Sequence, residues 1–235
     1  MEVIKISEIE NLKNITKSIT NLLELETDIM KYESEISNKL DKCSKIQLEY
    51  ANTKKDLAQT LQKYSETMVK LIDLKKLFKA DKILRILDDE IGGFRTNAFQ
   101  IMKISEGEID VSEALINSSE KIKSLADIKN KIAKIYKDIV KDRKNQLKKV
   151  SELIKAKEDF EKFKDGTDKE ISLEDNVKKK QKELEDAVNR MIETLKSLIK
   201  ESKNQENVEK ELSDLNEVVS KRLDIVDKIR SPETL

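Results

Sequence analysis

Stepping through residues 36–78 alternately by four and three visits Ile36, Leu40, Cys43, Gln47, Tyr50, Lys54, Leu57, Leu61, Tyr64, Met68, Leu71, Lys75 and Phe78, and ten of these thirteen are apolar, aromatic or Cys. Two of the misses have an apolar neighbour, Ile46 and Leu74. A strand alternates every second residue and a loop shows no period, so six heptads of this stripe predict one continuous helix with a coiled-coil-like seam. The seam residues Ile36, Leu40, Cys43, Tyr50, Leu57, Leu61, Tyr64, Met68 and Leu71 are the expected core or dimer contact. The same steps recur at Leu125, Ile128, Ile132, Ile135 and Ile139, then at Leu147, Val150 and Ile154. They return at Leu184, Val188, Met191, Leu195 and Leu198, and again at Leu212, Leu215 and Val219. Between the last two groups Ser202–Asn207 is polar all round but holds no helix breaker, which predicts a skip or bend within a helix.

Breaks are expected at three places. Around Lys79–Asp81 the seam shifts, and Asp81 can cap a new start. Gly92-Gly93 costs about 1 kcal/mol per glycine in a helix interior, which marks a kink or a turn. Lys164-Asp165-Gly166-Thr167-Asp168 reads as a turn, followed by Asp168 or Ser172 as a cap. The expected layout is a helix over about 20–79, a second over about 81–164 bent or broken near 92, and a third over about 171–230. At 1.5 Å per residue a 60-residue helix is about 90 Å long. The fold class is therefore all-α: three long antiparallel helices in an elongated, coiled-coil-like bundle. Residues 1–19 are either an amphipathic lead-in helix or the start of the first long helix. Their Ile4, Ile9, Leu12, Ile15 and Ile19 fall largely on one face, opposite Glu8, Lys13 and Lys17. Residues 20–230 form one helical domain, and 231–235 are a tail.

Composition sharpens this picture. Of 235 residues only four are Gly and one is Pro, and 40% are charged. Turns need Gly, Pro, Asn or Asp, so few of the first two means few, long elements. With no His and no Trp, the usual general base is missing. Cys43 is the only cysteine and sits on the apolar stripe, and four glycines build no phosphate-binding loop. No metal cluster, cofactor site or catalytic constellation is expected, and the chain does not read as an enzyme. One cysteine and the absence of a signal peptide or spanning segment point to a soluble, cytoplasmic protein.

The 47 basic and 47 acidic side chains cancel in sum but not in place. Ser105–Glu120 holds five acids and no base, whereas Lys121–Lys149 holds eleven bases and three acids. Further acids dominate Glu201–Ser220, six against two bases. The basic run includes Lys141, Arg143, Lys144, Lys148 and Lys149 and continues through Lys155, Lys157, Lys162, Lys164 and Lys169 to Lys178, Lys179, Lys180 and Lys182. A hairpin about the turn at Gly166 gathers these residues near one tip. Such a run is either a solvated face or a site for an anionic surface, each cation near an anionic leaflet contributing about 1 kcal/mol. Membrane fits better than nucleic acid, since the chain is not basic overall and carries no nucleic-acid-reading motif.

Residues 36–71, ISNKLDKCSKIQLEYANTKKDLAQTLQKYSETMVKL, with Leu57, Ala58, Leu61 and Tyr64, resemble the first helix of BAR domains, most of all the sorting-nexin type. The stretch from Glu113 to Phe160, with Ile128-Lys129 and Arg143, is similar to that family's second helix, and the third segment fits by length and position. The resemblance covers residues 20–230 and has no phosphoinositide-binding module, which implies a BAR-only chain or a fragment. It implies a crescent-shaped antiparallel homodimer, peripheral on anionic phospholipid membranes, that senses or generates curvature in endocytosis, vesicle trafficking or membrane remodelling. The competing expectation is a structural helical-bundle protein that binds other helical proteins, with no affinity for lipid.

Overall fold

A computed structural model describes residues 6–77, 84–163 and 168–230. Every element among them is an α-helix: α1, Ile6–Leu77, α2, Leu84–Lys162, and α3, Asp168–Arg230. The break expected at Lys79–Asp81 lies outside the described residues, as does the turn expected at Lys164–Asp168 except for Asp168, which opens α3. Helix α2 closes on a backbone hydrogen bond from Phe163 N to Phe160 O. Gly92 and Gly93 lie inside α2, which passes through them as continuous helix and not as a turn. Residues 6–19 are the first turns of α1 rather than a separate helix. Likewise α3 runs through Ser202–Asn207 without interruption. Its core positions Val177, Leu184, Met191, Leu198, Gln205, Leu212, Val219 and Val226 keep a seven-residue interval across that polar stretch, so no skip occurs. Gln205 simply fills one seam position with a polar side chain.

Packing divides the helices into two compact units, Met1–Asn38 with Ala126–Glu206, and Lys39–Leu125 with Asn207–Leu235. In the first unit Leu153, Ala156 and Phe160 of α2 bury against Val177 of α3, with Leu12, Leu173 and Leu184 packed around them. Leu12 therefore turns the apolar side of the first turns of α1 inward. Farther along, Ile128, Ile132, Ile139 and Val150 of α2 and Ala187 and Met191 of α3 are buried. The helices run antiparallel: Glu33 pairs with Lys129, Glu26 with Arg143 and Lys13 with Glu158, residues advancing on α1 as they recede on α2. Ser37 Oγ donates to the Ala126 carbonyl at 2.8 Å, a side-chain bond that only a close helix approach permits.

The second unit shows the same close approach more fully. Ser44 Oγ donates to the Ser119 carbonyl at 2.9 Å, and Gln47 Nε2 reaches the Leu115 carbonyl at 3.4 Å. Continued by sevens in opposite directions, this register sets Ala51 opposite Ser112, Ala58 opposite Ser105 and Ser65 opposite Ala98. All six are at most 1% exposed. Small side chains every seventh residue on both helices let the two backbones approach, because the separation of packed helices follows the size of the side chains between them. The serines tolerate burial by donating within their own helix, Ser105 to Met102 O, Ser112 to Glu108 O and Ser119 to Ile116 O. Ser65 is the exception, its Oγ having no partner among the described residues. Against α3, Gly107 marks a second close approach, since a Cβ there would stand 2.7 Å from Val226 Cγ2.

This packing leaves much of the expected core-or-dimer seam of α1 outside the chain's own core. Ile36, Tyr50, Leu57 and Tyr64 are 40–60% exposed, and Cys43 is exposed as well. Leu40, Leu61 and Met68 are half-buried, and the Leu71 side chain lies outside the described residues. The buried heptad is Ser37, Ser44, Ala51, Ala58 and Ser65, one position along from the large residues. A hydrophobicity count overlooks it because serine and alanine score as neutral.

Candidate functional site

In the first unit α2 is flanked on two sides, which leaves one face outward. Toward α1 it presents Lys129, Arg143, Lys157 and Glu158, each bonded to an α1 carboxylate or lysine. Toward α3 it presents Asp142, which accepts from Thr194 Oγ1 at 2.9 Å, and Lys149 and Glu152, which meet Glu183 and Lys180. The remaining arc carries Lys134, Lys141, Lys148, Lys155 and Lys162, one lysine every seventh residue, with Lys137 and Lys144 between them. All seven are exposed. Seven residues of helix advance about 10.5 Å, so the row spans about 42 Å. Six of the seven have no ion pair or hydrogen bond among the described residues, and Lys162 meets only Asp159, at 3.9 Å. Ser151 and Glu158 complete the interleaved positions, and Glu158 is neutralised by Lys13.

The basic residues expected at the surface thus separate into those on the row, those bound into the fold and a few exposed on α3. Lys141, Lys144, Lys148, Lys155 and Lys162 are on the row. Lys134 and Lys137 belong to it too, and were overlooked because the sequence reading weighed charge per segment rather than the seven-residue interval.

Arg143, Lys149, Lys157 and Lys180 are instead part of the fold. Arg143 grips Glu26 with Nε at 3.1 Å and Nη2 at 2.7 Å, while Nη1 donates to Gln146. Lys157 is 6% exposed and bonded to Glu8 at 2.7 Å, with its stem in the core. Lys149 and Lys180 share Glu152 and Glu183 in a four-membered network. Hydrogen bonds from Lys149, and then from Lys180, hold the Glu183 carboxyl down to about 2. The same lysines lower Glu152, and the two carboxylates raise both lysines. Lys178 is exposed yet bonded to Glu174, which raises its pKa, and Lys179 and Lys182 are exposed on α3. Lys164 and the Lys169 side chain lie outside the described residues.

Chemically the row can hold an extended polyanion and little else. Its cations are set in line on a rigid helix; Lys141 edges one open groove with Asp142 and Thr194, and Lys134 and Lys137 edge another with Met30 and Glu35. Among the described residues no group of His, Cys, Asp or Glu could hold a metal ion. No described helix is long and apolar enough to cross a membrane. Comparison with models of known protein families, with curated proteins and with solved structures finds no match to this chain. The class that fold and site define is an all-helical protein of three long, mutually packed helices, with a lysine row on its second helix.

Proposed function

We propose that this protein docks on anionic phospholipid membranes through the lysine row of α2, as a peripheral component of membrane trafficking or remodelling. One observation carries the proposal: of five exposed lysines at seven-residue intervals, Lys134, Lys141, Lys148 and Lys155 have no ion pair among the described residues, while Arg143, Lys149 and Lys157 beside them are held in ion pairs. Chance solvation of a helix face does not require like charges in line. Such a row costs some mutual repulsion, and an anionic surface relieves it. Each lysine near an anionic leaflet contributes about 1 kcal/mol, so five to seven in one row suffice for salt-dependent binding without a lipid pocket. The resemblance to BAR domains extends the proposal to curvature sensing, in which two copies would present two rows to one bilayer.

Co-sedimentation with phosphatidylserine vesicles at low salt tests it. The parent chain is expected to pellet with the vesicles, to release as salt is raised, and to favour small vesicles over large. The triple variant Lys141→Glu, Lys148→Glu, Lys155→Glu is expected to stay in solution with its helical content unchanged. Undiminished pelleting of that variant refutes the proposal. Binding to duplex nucleic acid but not to vesicles also refutes it.

The competing function, a scaffold for other helical proteins, draws on a different surface, the uncovered apolar row of α1. It predicts no pelleting by either chain.

A further inference from the structure

The heptad position that carries the lysine row of α2 does not stop being charged at Lys134. Continued by sevens toward the start of the helix it holds Asp127, Glu120, Glu113 and Glu106, all exposed. Four acids are thus followed by five lysines at one position of the repeat, and the sign changes once, between Asp127 and Lys134. Glu106, Glu113 and Glu120 belong to the second unit, whereas Asp127 and the lysines belong to the first.

The acids of the second unit are only partly neutralised. Glu106 and Glu120 have no ion pair among the described residues, and Glu113 meets Lys55 at 3.2 Å. Nearby cations of α2 are spent on other carboxylates, Lys121 on Glu211 and Lys123 on Asp41. One turn either side of Glu106 stand Lys103 and Asp110, both exposed, and they offset each other. The exposed arc of α2 in this unit therefore stays acidic.

A seven-residue step along α2 is about 10.5 Å, longer than the roughly 8 Å over which physiological salt screens a charge. The two stretches therefore act separately instead of cancelling. An anionic leaflet attracts the basic stretch and repels the acidic one, which runs for about 32 Å of helix from Glu106 to Asp127.

We infer that docking on an anionic bilayer is confined to the first unit, and that Glu106, Glu113 and Glu120 hold the second unit's part of α2 off the surface. This rests on the lipid reading and adds an orientation to it. The second unit stays open to solvent while the first is bound.

Energy transfer to the bilayer tests it on the full chain. Cys43→Ser removes the one cysteine, and Ser151→Cys or Asn117→Cys, both at exposed positions, then takes a donor dye beside the lysines or beside the acids. The two positions lie about 51 Å apart along α2, far enough for transfer to tell them apart. Vesicles of phosphatidylcholine and phosphatidylserine carry an acceptor dye on a fraction of their headgroups. Strong transfer from the dye at 151 and weak transfer from the dye at 117 are expected. Glu106→Lys with Glu120→Lys is expected to raise transfer from 117 and to tighten vesicle binding, by up to about fivefold for each lysine that reaches the surface. Its helical content is expected to match the parent's, because both side chains are exposed. Transfer from 117 as strong as from 151 in the parent overturns the inference and leaves the lipid reading standing. A double variant with the parent's transfer and binding overturns it too. A parent that does not pellet with vesicles takes the lipid reading and the inference down together.

Discussion

Replacing Arg143 by Met separates the basic residues that hold the fold from those free to meet a ligand. The guanidinium makes two hydrogen bonds to Glu26, whose side chain is 11% exposed against 14% for Arg143. Arg143→Met keeps the apolar stem and removes both bonds, so the Glu26 carboxylate is left buried without its counter-charge. Breaking a buried pair from one side costs about 3–5 kcal/mol. The residual exposure lets some water reach the carboxylate, which places this case at the lower end, about 3 kcal/mol. For a chain of this size that lowers Tm by about 6–12 °C. Thermal melting followed by circular dichroism measures it. Lys196→Met serves as the control, because the Lys196–Glu193 pair is more than 60% exposed on both sides and is worth under 1 kcal/mol. Adding Glu26→Leu to Arg143→Met is expected to recover most of the loss, since the orphaned charge is what costs. Vesicle binding of Arg143→Met below its Tm is expected to match the parent. A melt within 2 °C of the parent, or a loss of vesicle binding like that of the lysine variants, refutes the assignment of Arg143 to the fold.

Two further outcomes follow from the packing. Ser65→Ala removes a fully buried hydroxyl that has no partner among the described residues, and is expected to raise stability by about 1 kcal/mol in urea unfolding. The Glu183 carboxyl is held below its ordinary 4.5, at about 2, so its stabilising contribution is complete above pH 4.5 and fades as pH falls toward 2. Glu183→Gln is therefore expected to lower Tm at pH 7 and to flatten the fall in Tm between pH 5 and 2.

The seven-residue recurrence of apolar residues is enough to make three long helices, because little else in the chain can end one: four glycines and a single proline. In α3 it marks Leu184, Met191, Leu198, Leu212 and Val219, but the polar stretch Ser202–Asn207 reads as a skip although Gln205 keeps the interval, and Val188, read as seam, is 41% exposed. For α1 the core-or-dimer seam marked in this way lies largely outside the chain's own core. Which face of α1 is buried depends on what α2 brings against it. That is a matching heptad of Ser119, Ser112, Ser105 and Ala98, visible as a partner only once the two helices are set antiparallel in register. Close backbone approach favours small side chains there and leaves Tyr50, Leu57 and Tyr64 outside.

Charge divides in the same way. The basic excess between Lys121 and Lys149 is plain in the sequence, but the identity of the free cations is not. Glu26 and Glu8 lie more than a hundred residues before the Arg143 and Lys157 they neutralise, and no local pattern announces those pairs. The sequence by itself determined periodic helices and a basic segment. Tertiary structure decided which lysines stay unpaired and which apolar residues stay bare, because both depend on groups that folding brings together from distant parts of the chain.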